Sequence, residues 1–142
     1  VRDALARAFQ ARCPGDEQLI VIAHSMGGNI TYDVLTWLAP EIQVDLLLTV
    51  GSQVGLFEEL KLFRGSDAAL RGPSLVRKPS NIARWINVID TNDILAYATS
   101  RIFGGAKDTV IDNGVPAWSA HTTYFYRPAF HERLSARLRE RL

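Results

Sequence analysis

The sequence predicts an α/β protein with a mostly parallel sheet and helices on both faces. Three largely apolar runs, residues 19–23 (LIVIA), 44–50 (VDLLLTV) and 85–89 (WINVI), have the length and composition of strands that are buried on both faces. Stretches with helical spacing of apolar residues separate these runs, and this alternation is typical of parallel sheets. A hydrophobic fraction of 47% is ordinary for a globular chain.

The first half of the chain shows clear element boundaries. Residues 2–12 carry apolar side chains at helical spacing, and the turn-like CPGD at 13–16 ends that predicted helix. A strand is predicted over residues 18–24. A second helix is predicted from Met26 to about Leu38. The strand over 44–50 follows it.

The middle of the chain is less regular. FEELKLF at 57–63 could form a helix, and several glycines and prolines interrupt the chain after residue 64. We interpret residues 54–83 as an excursion from the sheet that could act as a cap or lid.

The rest of the chain returns to alternating elements. A helix is predicted over 94–103 and a short last strand over 108–111. The tail after Pro128 is predicted to be an amphipathic helix.

Charge and cysteine content narrow the function classes. Sixteen basic and fifteen acidic residues leave a formal charge of +1, which gives no general attraction to nucleic acid. The longest apolar runs are too short to cross a bilayer, and no secretory segment is recognisable, so the sequence is compatible with a cytoplasmic location. Cys13 is the single cysteine, which excludes an internal disulfide. Because the chain begins with Val1, we expect an upstream part of the protein.

The chemistry is concentrated in residues 23–28, AHSMGG, between a predicted strand and a predicted helix. Ser25 would sit on a sharp turn with its hydroxyl clear of the sheet, and the small Gly27 and Gly28 would let strand and helix approach closely. The Met26 N–H at the helix start would be free to donate to an oxyanion. A serine hydroxyl is a weak nucleophile, so a base is required as well.

The segment IVIAHSMGG at 20–28 resembles the nucleophile elbow of the α/β-hydrolase family, which includes lipases, esterases, thioesterases and related acyltransferases. Ala23 stands where the usual Gly-x-Ser-x-Gly pattern has its first glycine, and Gly27 keeps the second. The resemblance implies that residues 1–142 are the C-terminal part of one such domain, with the N-terminal strands absent. It also implies that an N-terminal half of the same protein is a partner of this part.

The family order of nucleophile, acid and base assigns the base to His121. This histidine lies in WSAHTT at 118–123, after the last predicted strand and before the final helix, where the family has a loop. His24 is adjacent to Ser25, and we expect its side chain to point away from the hydroxyl. His131 is expected on a solvated helix face.

The acid should follow the WINVI strand, where Asp90 and Asp93 both stand. Asp93 resembles the family's acid because it lies a few residues past the strand end, and Asp90 would then brace the turn. The choice between the two stays open. The loop at Thr49–Ser52 resembles one beside the family's elbow, where Gly51 would let the chain turn close to the pocket, although a plain strand-end turn explains it equally well.

The resemblance implies a serine hydrolase that cleaves a carboxylic ester or thioester through an acyl-enzyme on Ser25. His121 would move the proton, Asp93 would orient His121, and Met26 would stabilise the oxyanion. No metal or organic cofactor is implied, and the substrate would be a small-molecule or lipid ester. The alternatives are an acyltransferase on the same scaffold, a non-catalytic binding module, and an enzyme of lipid surfaces that uses residues 54–63 as a lid.

Overall fold

Helices and strands alternate along the chain in the computed structural model, which describes residues 1–70 and 76–139. The helices are α1 (Arg2–Gln10), α2 (Met26–Asp33), which continues as a π-helix (Val34–Leu38), α3 (Val54–Glu59), α4 (Ala117–Thr123), which continues as a 3-10 turn (Tyr124–Tyr126), and α5 (Pro128–Arg139). The strands are β1 (Ile20–His24), β2 (Val44–Val50), β3 (Val76–Arg77), β4 (Ile82–Asp90), β5 (Phe103–Gly104) and β6 (Ala106–Ile111).

Within the described residues the strands form one sheet with the order β1-β2-β4-β6-β5-β3. The four longer strands pair in parallel, and the register places Ile22 beside Leu48 and Leu48 beside Ile86. The predicted α/β architecture with a mostly parallel sheet is therefore confirmed. The strand predicted over residues 44–50 coincides with β2.

Helices pack on both faces of this sheet. Side chains alternate between the faces of a strand, so the neighbours Leu47 and Leu48 enter different cores. Leu47 belongs to a core with Leu35 on the α2 side. Leu48 belongs to a second core with Tyr124 and Phe130, where α5 covers the sheet.

The prediction that the LIVIA strand is buried on both faces is wrong. β1 is the outermost strand, with β2 on one side only among the described residues. Ile22 is 46% exposed as a result. An apolar edge strand without charged or proline residues is unusual, because such an edge invites pairing with another strand.

The helix predicted over 94–103 is also wrong. Residues 91–102 form turns, and three N–H groups that a helix would use internally have other acceptors. The Tyr97 N–H donates to the backbone oxygen of Ser52, and the N–H groups of Thr99 and Ser100 donate to the Asp108 carboxylate. For these three N–H groups, acceptors outside residues 94–103 thus replace the helical ones.

The segment after β2 contains a helix, but at other residues than predicted. The helix α3 spans Val54–Glu59 instead of 57–63, and the chain turns at Lys61, where φ is 57°. Phe63 packs back on the core, with its ring centroid 4.5 Å from that of Tyr32. Residues 71–75 of the expected excursion at 54–83 lie outside the described residues, and its role as a cap or lid stays a prediction.

The tail helix predicted after Pro128 is confirmed as α5, which places Phe130 and Leu134 against the second core. None of the helices in residues 1–70 and 76–139 combines the length and the apolar character that a bilayer span requires.

Candidate active site

The site residues converge at the carboxyl ends of the parallel strands, where ligands bind in open α/β sheets. Ser25 directly follows β1, Gly51 directly follows β2, and Asp93 lies three residues past the end of β4. His121 comes from α4, after β6. Four separate connections of the sheet thus contribute to one edge.

The backbone of Ser25 adopts an unusual conformation, with φ of 54° and ψ of −132°. A non-glycine residue with positive φ is uncommon and costs on the order of 1–3 kcal/mol. Hydrogen bonds hold this conformation on both sides. The Ser25 N–H donates to Val50 O at 2.9 Å, and the Gly28 N–H donates to Ser25 O at 3.0 Å. The serine is therefore held on a sharp strand-to-helix turn.

Ser25, His121 and Asp93 form a continuous line of hydrogen bonds. The distance from His121 Nε2 to Ser25 Oγ is 2.8 Å, and the distance from His121 Nδ1 to Asp93 Oδ2 is 2.9 Å. A carboxylate only accepts, so Nδ1 carries the proton and the unprotonated Nε2 accepts from the serine hydroxyl. The Asp93 side chain has no exposed area and that of His121 is 18% exposed.

The structure separates the two acid candidates. Asp93 lies against the imidazole of His121, whereas Asp90 is the last residue of β4. The two carboxylate oxygens of Asp90 accept the backbone N–H groups of Asn92 and Asn113, at 2.8 and 3.0 Å. Asp90 thus braces the turns around the strand end.

Asp93 has two further donors that no sequence pattern indicated. Its Oδ1 accepts the Leu95 N–H at 2.9 Å, and its Oδ2 accepts the Tyr124 hydroxyl at 2.8 Å. Burial raises the pKa of the Tyr124 phenol above its usual range, and the bond to Asp93 raises this pKa further. The phenol is therefore a neutral donor to the carboxylate.

His24 makes an unexpected contact, and His121 departs from its expected location. The side chain of His24 lies against His121, with Nε2 2.8 Å from the His121 backbone oxygen and ring centroids 4.8 Å apart. His24 was expected only to point away from the Ser25 hydroxyl, and no sequence pattern indicated this contact. His121 lies in α4 and not in a loop, because the chain turns into helix at Pro116, whose carbonyl accepts the N–H of Ala120.

The two glycines that follow Met26, Gly27 and Gly28, have different surroundings. A Cβ on Gly28 would overlap the Ser52 hydroxyl and lie 2.9 Å from the Ser52 Cβ, so this position requires glycine. A Cβ on Gly27 would meet nothing within 4 Å among the described residues. The close approach expected at both glycines is therefore found at Gly28 only. Met26 is the first residue of α2, where helix geometry leaves the N–H without an intrahelical acceptor.

Gly51 packs directly against the hydrogen-bonded side chains of Asp93 and His121. Its φ is 55°, a conformation that favours glycine. A Cβ here would lie 2.9 Å from Asp93 Oδ2, 2.9 Å from a ring carbon of Tyr124 and 3.4 Å from His121 Nδ1. The turn after β2 therefore forms one wall around the Asp93 carboxylate.

Side chains from the turn after β2 and from β4 anchor the loop that carries Asp93. The Gln53 amide donates to Gly51 O at 3.1 Å and to Leu95 O at 2.8 Å, which ties the turn after β2 to this loop. Asn87 donates to Tyr97 O at 2.9 Å. Sequence patterns gave no indication of Gln53 or Asn87, because each bonds the Asp93 loop from a position at least ten residues away along the chain.

A cavity of about 390 Å³ lies between the sheet and α5. Its walls include Leu48, Val88, Phe130 and Arg133, and they include none of the three residues of the hydrogen-bonded line. The cavity and the site are therefore separate features. Within the described parts of the chain, no group of three or more His, Cys, Asp or Glu side chains could hold a metal ion.

A scan of the chain against models of known protein families found no match, and a search of curated proteins also found none.

Proposed function

We propose that the chain is a serine hydrolase that cleaves a carboxylic ester or thioester. The observation that carries this proposal is the line of hydrogen bonds from Ser25 Oγ through His121 to Asp93 Oδ2, at 2.8 and 2.9 Å. Nucleophile, base and orienting acid in such a line are the arrangement that activates a serine hydroxyl. The strained backbone at Ser25, with φ of 54°, presents that hydroxyl at the strand end.

The proposed reaction has two stages. Ser25 Oγ attacks the carbonyl carbon while His121 Nε2 takes the hydroxyl proton, and the imidazolium then protonates the departing alcohol or thiol. A water molecule next attacks the acyl carbon while His121 Nε2 takes one of its protons. The imidazolium then returns that proton to Ser25 Oγ as the bond to the acyl group breaks, which releases the acid. Asp93 accepts the hydrogen bond from the Nδ1–H group of His121 throughout and stabilises the charged imidazole.

The Met26 N–H is the proposed donor to the oxyanion that forms at the carbonyl oxygen. It follows the nucleophile at the first position of α2, where the N-terminal end of a helix favours negative charge. An oxyanion in such a site is typically bound by two donors, so a second one is required. We propose that another segment of the protein, next to β1, supplies this second donor.

The fold assignment is part of the proposal. The order of nucleophile, acid and base along the chain, and the position of each after a parallel strand or beyond the last one, support an α/β-hydrolase fold. The open edge of β1 supports a partner segment that adds to the sheet there. We propose that this segment is the N-terminal half of the same protein.

Labelling with a fluorophosphonate probe tests the proposal. Attack of an activated serine on phosphorus expels fluoride and leaves a stable phosphonyl adduct on the oxygen. We expect an adduct on Ser25 in the wild-type protein and none in Ser25→Ala or His121→Ala. Ser119→Ala is the matched control, because Ser119 lies on the surface of α4 and should not affect the adduct.

The outcomes separate the alternatives. Labelling that persists in Ser25→Ala would refute the assignment of the nucleophile. An unlabelled wild-type protein, both as this chain and in a longer form, would favour a non-catalytic binding module. Labelling of the longer form alone would mean that a further segment completes the site.

A further inference from the structure

One oxygen of the Asp93 carboxylate serves two side chains. Asp93 Oδ2 lies 2.9 Å from His121 Nδ1 and 2.8 Å from the Tyr124 hydroxyl. Tyr124 has no exposed area, so water does not compete for these bonds at its hydroxyl. The phenol is thus in direct contact with the group that orients His121.

Chemistry fixes the direction of both Tyr124 hydrogen bonds. The Asp90 N–H, 2.9 Å from the phenol oxygen, can only donate. The Asp93 carboxylate can only accept, so the phenol proton points at Asp93 Oδ2. The Asp90 N–H therefore holds the hydroxyl in the orientation in which it donates its hydrogen bond to Asp93.

Two donors on one carboxylate oxygen compete for the same negative charge. The phenol bond stabilises the ionised carboxylate and aims Oδ2 at the imidazole. The same bond leaves the carboxylate less charge with which to stabilise a protonated imidazole. Tyr124 therefore affects both the orientation of the Asp93 carboxylate and the strength with which this carboxylate stabilises the protonated His121.

We propose that Tyr124 is a positioning residue of the Ser25 site, whose hydroxyl aims Asp93 at His121 and limits how strongly the carboxylate retains the protonated imidazole. The inference rests on the proposed function, in which the imidazolium must return its proton to the leaving group. A weaker hold favours that step. Tyr124 does not itself contact the reacting atoms.

Other polar groups around His121 come from three elements. His24 approaches from β1, with its ring centroid 4.8 Å from that of His121, and the Ser25 hydroxyl lies at Nε2. The Asp90 carboxylate at the end of β4 is turned toward backbone N–H groups. Gly51 brings no side chain. None of these side chains bonds to the Tyr124 hydroxyl, so Tyr124→Phe removes none of their hydrogen bonds.

The test is a titration of the His121 imidazole by NMR in the wild-type protein, Tyr124→Phe and Tyr126→Phe. Tyr126 is the matched control because it lies in the same 3-10 turn and is 83% exposed. We expect Tyr124→Phe to move the His121 titration midpoint upward by roughly 0.5–1 pH unit, a fraction of what a full neighbouring charge contributes. Tyr126→Phe should leave it unchanged.

An unchanged midpoint in Tyr124→Phe would mean that the phenol only fills space. A lower midpoint would mean that the hydroxyl strengthens the hold on the imidazolium instead of limiting it, and either result would overturn the inference. Removal of the hydroxyl also leaves the buried Asp90 N–H without its acceptor, so a second variant retains both bonds. A monofluorinated tyrosine at position 124 donates more strongly. It should lower the midpoint, and a midpoint equal to that of wild type would again refute the proposal.

The NMR measurement does not depend on turnover, which separates this inference from the proposed function. A shifted midpoint in a protein whose Ser25 is never labelled would leave the coupling of Tyr124 intact and refute the hydrolase. Labelling of Ser25 with no shift would refute the role of Tyr124 alone. Where both hold, the acidic limb of the labelling rate should move upward in Tyr124→Phe together with the midpoint.

Discussion

The Nε2 atom of His24 lies 2.8 Å from the backbone oxygen of His121. The residue next to the proposed nucleophile therefore also holds the main chain of the proposed base. Because a carbonyl oxygen only accepts, His24 donates through a protonated Nε2. The Ser25 turn and the backbone of His121 are thereby tied together through the side chain of His24.

His24→Ala should lower the rate of Ser25 labelling by roughly 10- to 100-fold, because a small misplacement of a catalytic group is costly. Labelling kinetics with the fluorophosphonate probe measure this effect. His131→Ala is the matched control, since His131 makes the same kind of bond to Phe125 O, at 2.8 Å, on the surface. Equal labelling rates for His24→Ala and the wild-type protein would show that His24 does not position His121.

Asp93→Asn should reduce ester hydrolysis or labelling by about 10⁴-fold, as expected when the acid can no longer hold the correct tautomer of the base. Asp90→Asn should retain most of the rate and lose about 1 kcal/mol of stability, because its carboxylate binds only backbone N–H groups. Rates and urea unfolding, measured side by side, give both quantities. The reverse pattern would assign the acid to Asp90.

Gly51→Ala should impair both stability and labelling. The positive φ of 55° costs an alanine about 1–2 kcal/mol, and the added Cβ would lie 2.9 Å from Asp93 Oδ2. Gly114→Ala provides the control, because Gly114 has φ of 64° and nothing within 4 Å of its Cβ position. Urea unfolding should show a larger loss for Gly51→Ala, and only Gly51→Ala should slow labelling. Equal effects would mean that the contact with Asp93 has no consequence.

Alkaline pH should destabilise the fold through Tyr32. Burial, followed by the charges of Glu58 and Asp33, raises the pKa of its phenol above the usual range. The unfolded chain loses this proton near pH 10 while the folded chain keeps it, so the contribution of Tyr32 to stability falls as pH rises above about 10, by at most about 1.4 kcal/mol per pH unit.

Unfolding free energies at pH 8 and pH 11 measure this fall. Tyr32→Phe should reduce the difference between the two values, and Tyr126→Phe, at an exposed position, should retain it in full. A fall of the same size in Tyr32→Phe would exclude Tyr32 as its source.

Local patterns in the sequence were sufficient for most of the architecture. The apolar run at 44–50 coincides with β2, and the helix predicted from Met26 to about Leu38 is α2 with its π-helical continuation. These signals are reliable because the spacing of apolar side chains reports directly which face of an element is buried. Ser25 between a strand and a helix was likewise readable from adjacent residues.

The errors lie where distant residues override local preference. Residues 94–103 have helical spacing, yet the backbone N–H groups of Thr99 and Ser100 bond to Asp108 on a neighbouring strand. β1 has the composition of a strand that is covered on both faces, yet Ile22 is 46% exposed. Local composition carries no information about which elements cover a strand.

The sequence by itself determined the class of the fold and the small set of residues from which a serine site could be built. Only the tertiary structure decided which members of that set meet: Asp93 and not Asp90 at His121, with His24, Gly51 and Tyr124 around them. The physical reason is that hydrogen bonds and close contacts depend on distances of about 3 Å between atoms. Such distances arise only when strands that are separated along the chain are aligned in one sheet.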